Sequence, residues 1–285
     1  MSREDKNIAR LEERALRLRI GVMKVIGRFG YGHVGGSMSV ADILAVLYFH
    51  EMNLDPKNPE WEDRDRFILS KGHACFTQYM ALAELGILPW EALKHPYEVD
   101  SMIQAHPELG ETPGIEMSTG ALGQGLSAGI GMAIGARLRK KAFRVYVVLG
   151  DGELNEGQVW EAAMMASKYR LDNIVAVIDY NRLALSDRVE EVMPLEPLEE
   201  KWAAFGWHVL HVNGHSVSEL ADAFETARGM KSKPTVILAD TIKGHGISFL
   251  ENKWNSHATP LTPEEACQAL RDLGCSEAEI NEALA

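Results

Sequence analysis

The chain has 285 residues, 46% of them hydrophobic, and 29 Lys and Arg against 41 Asp and Glu give a formal net charge of −12 at pH 7. This composition is typical of a water-soluble globular protein with one or two domains. The acidic balance argues against nucleic acid or an anionic membrane as a partner, because there is no basic surplus to displace counterions. The three cysteines do not have the spacing of a zinc site or a redox motif, and their odd number fits a reducing compartment. We find neither the pattern of a signal peptide nor an apolar run of the roughly 20 residues that a membrane span needs. A cytoplasmic protein is therefore expected.

The first third of the chain is predicted to be mainly helical. Residues 5–29 have an amphipathic pattern, a second helix is expected over about 39–51, and a third follows the SKGH turn to about residue 85. Residues 67–69, between the second and the third of these helices, have the pattern of a short strand. Residues 106–125 are rich in Gly and Pro and are expected to be irregular.

From about residue 125 onward, helical patterns alternate with short apolar runs. Helices are expected over 125–141, 157–169, 195–205 and 217–228, and strands over 144–149, 174–178, 207–212 and 235–239. This alternation predicts an α/β fold, a doubly wound and mostly parallel sheet with helices on both faces. Residues 1–260 are taken as this domain with its N-terminal helices, and 261–285 as a pair of helices packed on it, capped by Thr262 and Ser276.

Polar side chains follow the two most apolar strands. Asp151 stands between two glycines after the first of these strands, and Asp179 and Asn181 follow the second. Both turns should emerge at the edge of the sheet where ligands of open α/β folds bind. Oxygens from Asp151, Asn181 and the Leu183 carbonyl are too few to saturate Mg²⁺, so phosphate or water would complete its coordination. The sequence therefore predicts a metal–diphosphate site.

Ten histidines are present, and several stand in glycine-rich segments rather than in helical patterns. Taken singly, each is better explained as a solvated or locally hydrogen-bonded side chain. Loop histidines that meet around one cofactor would instead serve as proton shuttles, because imidazole titrates near neutrality. A zinc site is the competing interpretation, and the lack of His-x-x-x-His or paired-Cys spacing disfavours it.

Residues 123–128 match the dinucleotide-binding pattern Gly-x-Gly-x-x-Ala. That pattern requires a strand immediately before it, and the preceding HPELGETPGIEMST does not have the character of a strand. We therefore interpret the match as coincidental. A nicotinamide-dependent oxidoreductase is an alternative class of enzyme, and this match is the only feature that would support it.

Seven segments carry a further pattern in fixed order: GHVGGSMS, RDRFILSKGHA, QAHPELGETPGIEMSTGALGQGLS, VVLGDGELNEGQVWEA, IDYNRLALSD, FGWHVLHVNGHS and DTIKGHGISFLENKWNSHATPL. Together they resemble the N-terminal half of transketolase, from about residue 17 to residue 260. The resemblance implies the diphosphate domain of the thiamine-diphosphate-binding fold. It also implies transfer of a two-carbon ketol unit from a ketose (phosphate) to an aldose (phosphate), with thiamine diphosphate and Mg²⁺, or Ca²⁺ or Mn²⁺ in its place.

The resemblance also implies roles for individual residues. Asp151, Asn181 and the carbonyl of Leu183 resemble the metal ligands. The imidazoles around the reacting carbon would be those of His33, His73, His106 and His257. The cofactor-binding residues that it implies are His73, Gly120, Ala121, Leu122, Gly150, Gly152, Glu156, Asp179, Asn181, Leu185, Lys243 and His257.

About 25 residues follow Pro260, fewer than the ~100 that a further α/β domain needs. The chain is therefore expected to be the N-terminal subunit of a split transketolase. A separate C-terminal subunit would supply the activating glutamate and the arginines that grip sugar phosphate, in an α₂β₂ assembly. The alternatives are another half of a thiamine-diphosphate enzyme, such as a dehydrogenase-type alpha subunit, and a catalytically silent module that only binds the cofactor. Pentose-phosphate sugars are the default substrates.

Overall fold

A five-stranded parallel sheet lies at the centre of the protein. The structure is a computed structural model that describes residues 3–285, with side chains for residues 7–258 and 260–285. In chain order the strands are β1 Tyr31–Gly32, β2 Arg66–Leu69, β3 Val145–Gly150, β4 Ile174–Tyr180, β5 His208–Asn213, β6 Thr235–Asp240 and β7 Thr259–Pro260. Strands β2 to β6 form the parallel sheet in the order β2-β3-β4-β6-β5, whereas β1 and β7 pair antiparallel outside it.

Eleven α-helices are assigned among the described residues. They are α1 Arg3–Phe29, α2 Val34–Ser39, α3 Ala41–Val46, α4 Cys75–Glu84, α5 Gln124–Leu138, α6 Gly157–Lys168, α7 Val189–Val192, α8 Leu198–Ala204, α9 Val217–Gly229, α10 Pro263–Asp272 and α11 Glu277–Leu284.

Helices cover both faces of the sheet because its central strands are apolar on both sides. Along β3, Tyr146 and Val148 point into one buried cluster, with α1, α3, α4, α9 and α10. Val147 and Leu149 point into the other cluster, with α5, α6 and α8. This is the pattern of a parallel sheet buried on both faces. The predicted doubly wound α/β fold is confirmed.

The second predicted helix differs most from the structure. It was expected to begin near Ser39, but α2 already begins at Val34 and is followed by α3 and a π-helical turn, Leu47–Glu51. Gly35 and Gly36, which belong to one of the glycine-rich segments that contain histidine, therefore lie in a helix. Gly35 is needed for close packing, because a Cβ there would lie 2.5 Å from Ser256 Oγ.

The C-terminal helices α10 and α11 begin as the sequence indicates. Thr262 and Ser276 each form a complete capping box, and α10 packs against α1, where a Cβ on Gly27 would be 3.0 Å from Ala266 Cβ. The division of the chain at residue 260 stays a prediction. Within the described residues, no helix combines the length and the apolar character needed to cross a membrane.

Candidate functional site

A cavity of about 260 Å³ opens at the carboxyl edge of the sheet. Four adjacent strands contribute to its wall: Lys71 follows β2, Asp151 follows β3, Asn181 follows β4 and Lys243 follows β6. The two predicted turns meet here because Gly150 and Asp179 are paired across β3 and β4. This is the edge at which open α/β folds bind ligands.

Asp151 is a buried carboxylate with backbone partners. Its Oδ1 accepts a hydrogen bond from the Gly152 amide at 2.7 Å, and its Oδ2 accepts one from the Arg182 amide. Burial and the charge of Asp179 raise the pKa of Asp151 to about 7. A divalent cation would offset this cost of burying charge, so the carboxylate is suited to be a metal ligand.

The Asn181 amide has a fixed orientation beside Asp151. Its Nδ2 donates to Asp179 Oδ2 at 3.1 Å, and its Oδ1 accepts from the Leu183 amide at 3.1 Å. The Leu183 carbonyl accepts a hydrogen bond from Lys243 Nζ at 3.1 Å. A lysine ammonium thus already contacts one of the three groups predicted to bind the metal, which shows that this carbonyl is suited to a cation.

Asp179 lies beneath the cavity and does not line it. Its carboxylate accepts hydrogen bonds from Lys71 Nζ at 2.5 Å, Thr241 Oγ1 at 2.5 Å and Ser39 Oγ at 2.7 Å, besides the bond from Asn181. Burial alone would raise the pKa of Asp179, but the Lys71 ammonium and these hydrogen bonds hold it below its usual range. Asp179 therefore supports residues that line the cavity, and its predicted part in cofactor binding stays a prediction.

The four predicted imidazoles form one cluster at the cavity. The ring centroid of His33 lies 5.5 Å from that of His73, 5.8 Å from His106 and 5.6 Å from His257. Burial is the main cause that lowers the pKa of His33 to about 4 and of His257 to about 3, and nearby positive charge adds to it. Burial likewise lowers the pKa of His73 and His106. The lowered pKa values favour the neutral form of all four rings.

The other predicted cofactor residues divide into two groups. Those on the cavity wall are Gly150, Gly152, Leu122, Leu185, Lys243, His73 and His257. Three do not lie on that wall. Gly120, with a φ of +138°, adjoins His106 in the loop before α5 that also holds Ala121. Glu156 is exposed at the start of α6, beside Gly123.

Two residues with central contacts were missed from the sequence. Lys71 lines the cavity and pairs with Asp179. Glu153 is buried, and its carboxylate accepts hydrogen bonds from the amides of Gly123 at 2.8 Å and Gly150 at 3.0 Å. A lysine directly after an apolar strand was a usable signal for Lys71. The sequence contains no comparable signal for Glu153, because its hydrogen-bond partners are distant in sequence or are backbone groups.

The dinucleotide alternative is not supported by the local structure. Helix α5 begins at Gln124, and the residues before it form turns and irregular backbone instead of a strand. The Gly-x-Gly-x-x-Ala match therefore lacks the strand–turn–helix geometry on which phosphate binding by that motif depends.

Comparison with known proteins gives a consistent answer. A family model described as transketolase, thiamine diphosphate binding domain, matches residues 12–282. The chain is 45% identical over 263 residues to 6-deoxy-6-sulfo-D-fructose transketolase subunit SqwG of Clostridium sp. (strain MSTE9), covering 92% of this chain and 96% of that protein. It is 40% identical to a subunit of the apulose-4-phosphate transketolase of Phocaeicola vulgatus, over 92% and 93% of the two chains. The solved transketolase from Leishmania mexicana matches with a TM-score of 0.88 and 30% identity, over 96% of this chain and 44% of that one.

The parallel sheet and the polar edge of its central strands thus define a thiamine-diphosphate-binding fold. The chain belongs to the transketolase family, as its thiamine diphosphate binding domain. The expectation of a transketolase subunit is confirmed, since relatives matched over most of their length are named as subunits. The chain spans 44% of the matched Leishmania mexicana transketolase chain, and the names of the subunit relatives imply a partner chain.

Proposed function

We propose that this chain binds thiamine diphosphate through a divalent metal and, with a separate C-terminal subunit, transfers a two-carbon ketol unit from a ketose to an aldose. The observation that carries the proposal is one cavity that joins two features. At its base lie Asp151, Asn181 and Lys243, which suit a metal diphosphate, and at its side lies the cluster of neutral imidazoles.

The residues present fit the cofactor and the metal. Mg²⁺, or Ca²⁺ or Mn²⁺ in its place, would be held by Asp151, Asn181 and the Leu183 carbonyl, after the Lys243 ammonium turns from that carbonyl toward the diphosphate. Lys71 and Lys243 both lie on the cavity wall, where they would offset the remaining negative charge. Thiamine diphosphate, when bound, supplies the electron sink that holds the two-carbon unit between donor and acceptor.

The protein's own part in the chemistry is to position groups and move protons. His33 and His106 are assigned to the sugar hydroxyls, and His73 and His257 to the region nearer the diphosphate. A neutral imidazole can take a hydroxyl proton as a carbon–carbon bond breaks and return it when the acceptor binds. The missing Cβ of Gly120 leaves room for the His106 ring, because a Cβ there would lie 2.7 Å from His106 Cδ2.

The partner subunit would supply the glutamate that activates the cofactor and the arginines that hold the sugar phosphate, in an α₂β₂ assembly in the cytoplasm. Ketose and aldose phosphates of the pentose phosphate type are the substrates to test first. A sulfonated ketose is the second class, because a relative with 45% identity is named for one.

The experiment is reconstitution. The candidate C-terminal subunit, this chain and their mixture are each assayed for ketol transfer with and without thiamine diphosphate and Mg²⁺. Transfer is expected only from the mixture and only with both additions. Transfer by this chain alone at the full rate would contradict the split enzyme, and cofactor binding by the mixture without any turnover would favour a silent binding module.

A further inference from the structure

A second group of titratable side chains lies outside the cavity, around His215 in the turn between β5 and α9. His215 Nδ1 lies 2.7 Å from Asp42 Oδ2 on α3, and the amide of Ile242 donates to His215 Nε2 at 2.8 Å. His245 stacks on the His215 ring with the centroids 3.8 Å apart. Within the described part of the chain, Asp42, His215 and His245 are the only three such side chains with potential ligand atoms within 4.8 Å of one another.

These contacts argue against a metal at this place. Both ring nitrogens of His215 already have hydrogen-bond partners. Asp42 is engaged by both terminal nitrogens of the Arg19 guanidinium, at 3.2 and 2.5 Å. A cation would have to displace the guanidinium and break the bond to the Ile242 amide, so the group is better explained as a hydrogen-bond network.

The network leaves His215 a single protonation state. An amide N–H can only donate, so Nε2 of His215 must be unprotonated, and Nδ1 must then carry the hydrogen that is donated to Asp42. Asp42 is ionised to receive it: burial opposes ionisation, but the hydrogen bond from His215 and the charge of Arg19 lower the pKa of Asp42 to about 2.

The Ile242 amide is next to Lys243, the lysine of the cavity. The same loop is held on either side by Thr241 Oγ1, which donates to Asp179 at 2.5 Å, and by the Gly244 amide, which donates to the Gly35 carbonyl at 3.0 Å. The hydrogen bond from the Ile242 amide to His215 lies between these two contacts in the chain. A chain of side chains thus runs from Arg19 on α1, through Asp42, to the backbone that carries Lys243.

We infer that His215 is a positioning residue for Lys243, and that through Lys243 it sets the affinity for the diphosphate end of the cofactor without contacting the cofactor itself. This inference rests on the proposed function. Without the ring nitrogen, the Ile242 amide has no acceptor and the Lys243 backbone loses one of its anchors, so cofactor binding weakens while the chemical step is unaffected.

Two variants separate the polar role of His215 from its bulk. In His215→Gln, the amide oxygen can accept from Ile242 and the amide nitrogen can donate to Asp42, so the network is retained. In His215→Phe, a ring of similar size remains but neither bond can form. Thermal unfolding of both variants checks that they are folded.

The first measurement needs no cofactor. Hydrogen exchange of the Ile242 amide is followed in the wild-type chain and both variants, and imidazole ¹⁵N spectra of the wild type report the state of His215. We expect the Nδ1–H tautomer, a protected amide in the wild type and His215→Gln, and exchange about 10-fold faster in His215→Phe. An Nε2–H tautomer or equal protection in all three proteins would overturn the inference.

The second measurement titrates thiamine diphosphate with Mg²⁺ into the reconstituted enzyme and determines kcat at saturation. His215→Phe should raise the apparent Kd about 3- to 10-fold, as expected for the loss of one hydrogen bond, with kcat within about twofold. His215→Gln should restore the affinity. Unchanged affinity in His215→Phe, or a lower kcat alone, overturns the inference only. A wild-type enzyme that binds no thiamine diphosphate overturns the proposed function as well.

Discussion

Lys71 Nζ lies 2.5 Å from Asp179 Oδ2, and both side chains are almost completely buried, with 3% and 0% of their surfaces exposed. This ion pair joins the end of β2 to the end of β4. Because Asp179 also accepts a hydrogen bond from Asn181 Nδ2, the pair determines which end of the Asn181 amide is free for a metal. Hydrogen-bond partners that do not themselves contact a metal orient the side chains that bind it.

Asp179→Asn should weaken both the fold and metal-dependent binding. The substitution keeps the shape but removes the charge paired with the buried Lys71 ammonium, and breaking a buried ion pair typically costs about 3–5 kcal/mol. The Asn181 amide also loses its charged acceptor. Urea unfolding of the cofactor-free chain and a titration of thiamine diphosphate with Mg²⁺ measure the two effects.

Asp187→Asn is the matched control for this change, since Asp187 is exposed in the loop after β4. It should alter the free energy of unfolding by no more than about 0.5 kcal/mol. Equal stability and equal cofactor affinity of the two variants would show that the buried pair does not support the site.

Asp151→Asn should abolish metal-dependent cofactor binding with little effect on the fold. The amide oxygen can still accept one of the two backbone hydrogen bonds, but the negative charge that attracts the cation is lost. We expect the apparent Kd for thiamine diphosphate with Mg²⁺ to rise about 100-fold, a loss typical of altered metal-site residues. Circular dichroism should be unchanged, and wild-type titration behaviour would remove Asp151 from the metal site.

His106→Ala should slow turnover far more than it affects cofactor binding. His106 belongs to the imidazole cluster, and its pKa is lowered by burial, so the neutral ring can exchange protons with the substrate. Loss of a general acid–base group typically costs about 100-fold or more in rate. Steady-state kinetics of the reconstituted enzyme gives kcat, and a cofactor titration should stay within about threefold. Loss of cofactor affinity without loss of kcat would reverse the assignment.

Lys243→Met should raise the pKa of His257 and His73 in the cofactor-free chain. After burial, the positive charge of Lys243 is the next cause that lowers the pKa of His257, and it contributes at His73 as well. Removing a nearby cation makes the imidazolium less costly, so both pKa values move upward. Imidazole resonances followed by NMR across a pH titration measure the change.

His33 is an internal control in the same spectra, because the causes that lower its pKa are burial, His106 and Lys71, not Lys243. Lys168→Met, at an exposed position, should change the pKa of none of the three histidines His33, His73 and His257. An equal rise at His33 would mean that the substitution had opened the site to water, and no rise at His257 would contradict the assigned charge interaction.

The strands and the shared edge were predictable because their signals are local. The apolar runs of β3 and β4 are continuous, and the position of Asp151 and Asn181 directly after them follows from the rule for parallel sheets. The capping boxes at Thr262 and Ser276 are equally local, since each pattern lies within four residues.

The parts that sequence reasoning did not capture depend on contacts between distant segments. Gly35 and Gly36 lie in a helix, where Ser256 and the side chains of Lys71 and His73 approach the positions that Cβ atoms would occupy. Lys71 and Asp179 are 108 positions apart, so no periodicity links them. The ring of His215 can be assigned a function only once the Ile242 amide is seen to face it.

The short antiparallel pair of β1 and β7 determines when the site can form. Tyr31 pairs with Pro260, which brings His33, near the start of the chain, to His257, near its end. The four imidazoles can therefore meet only after the ribosome has added His257, 224 positions after His33. Synthesis of the segments between them comes first, and the cluster then requires the closure of one long loop, a step whose entropic cost local contacts do not share.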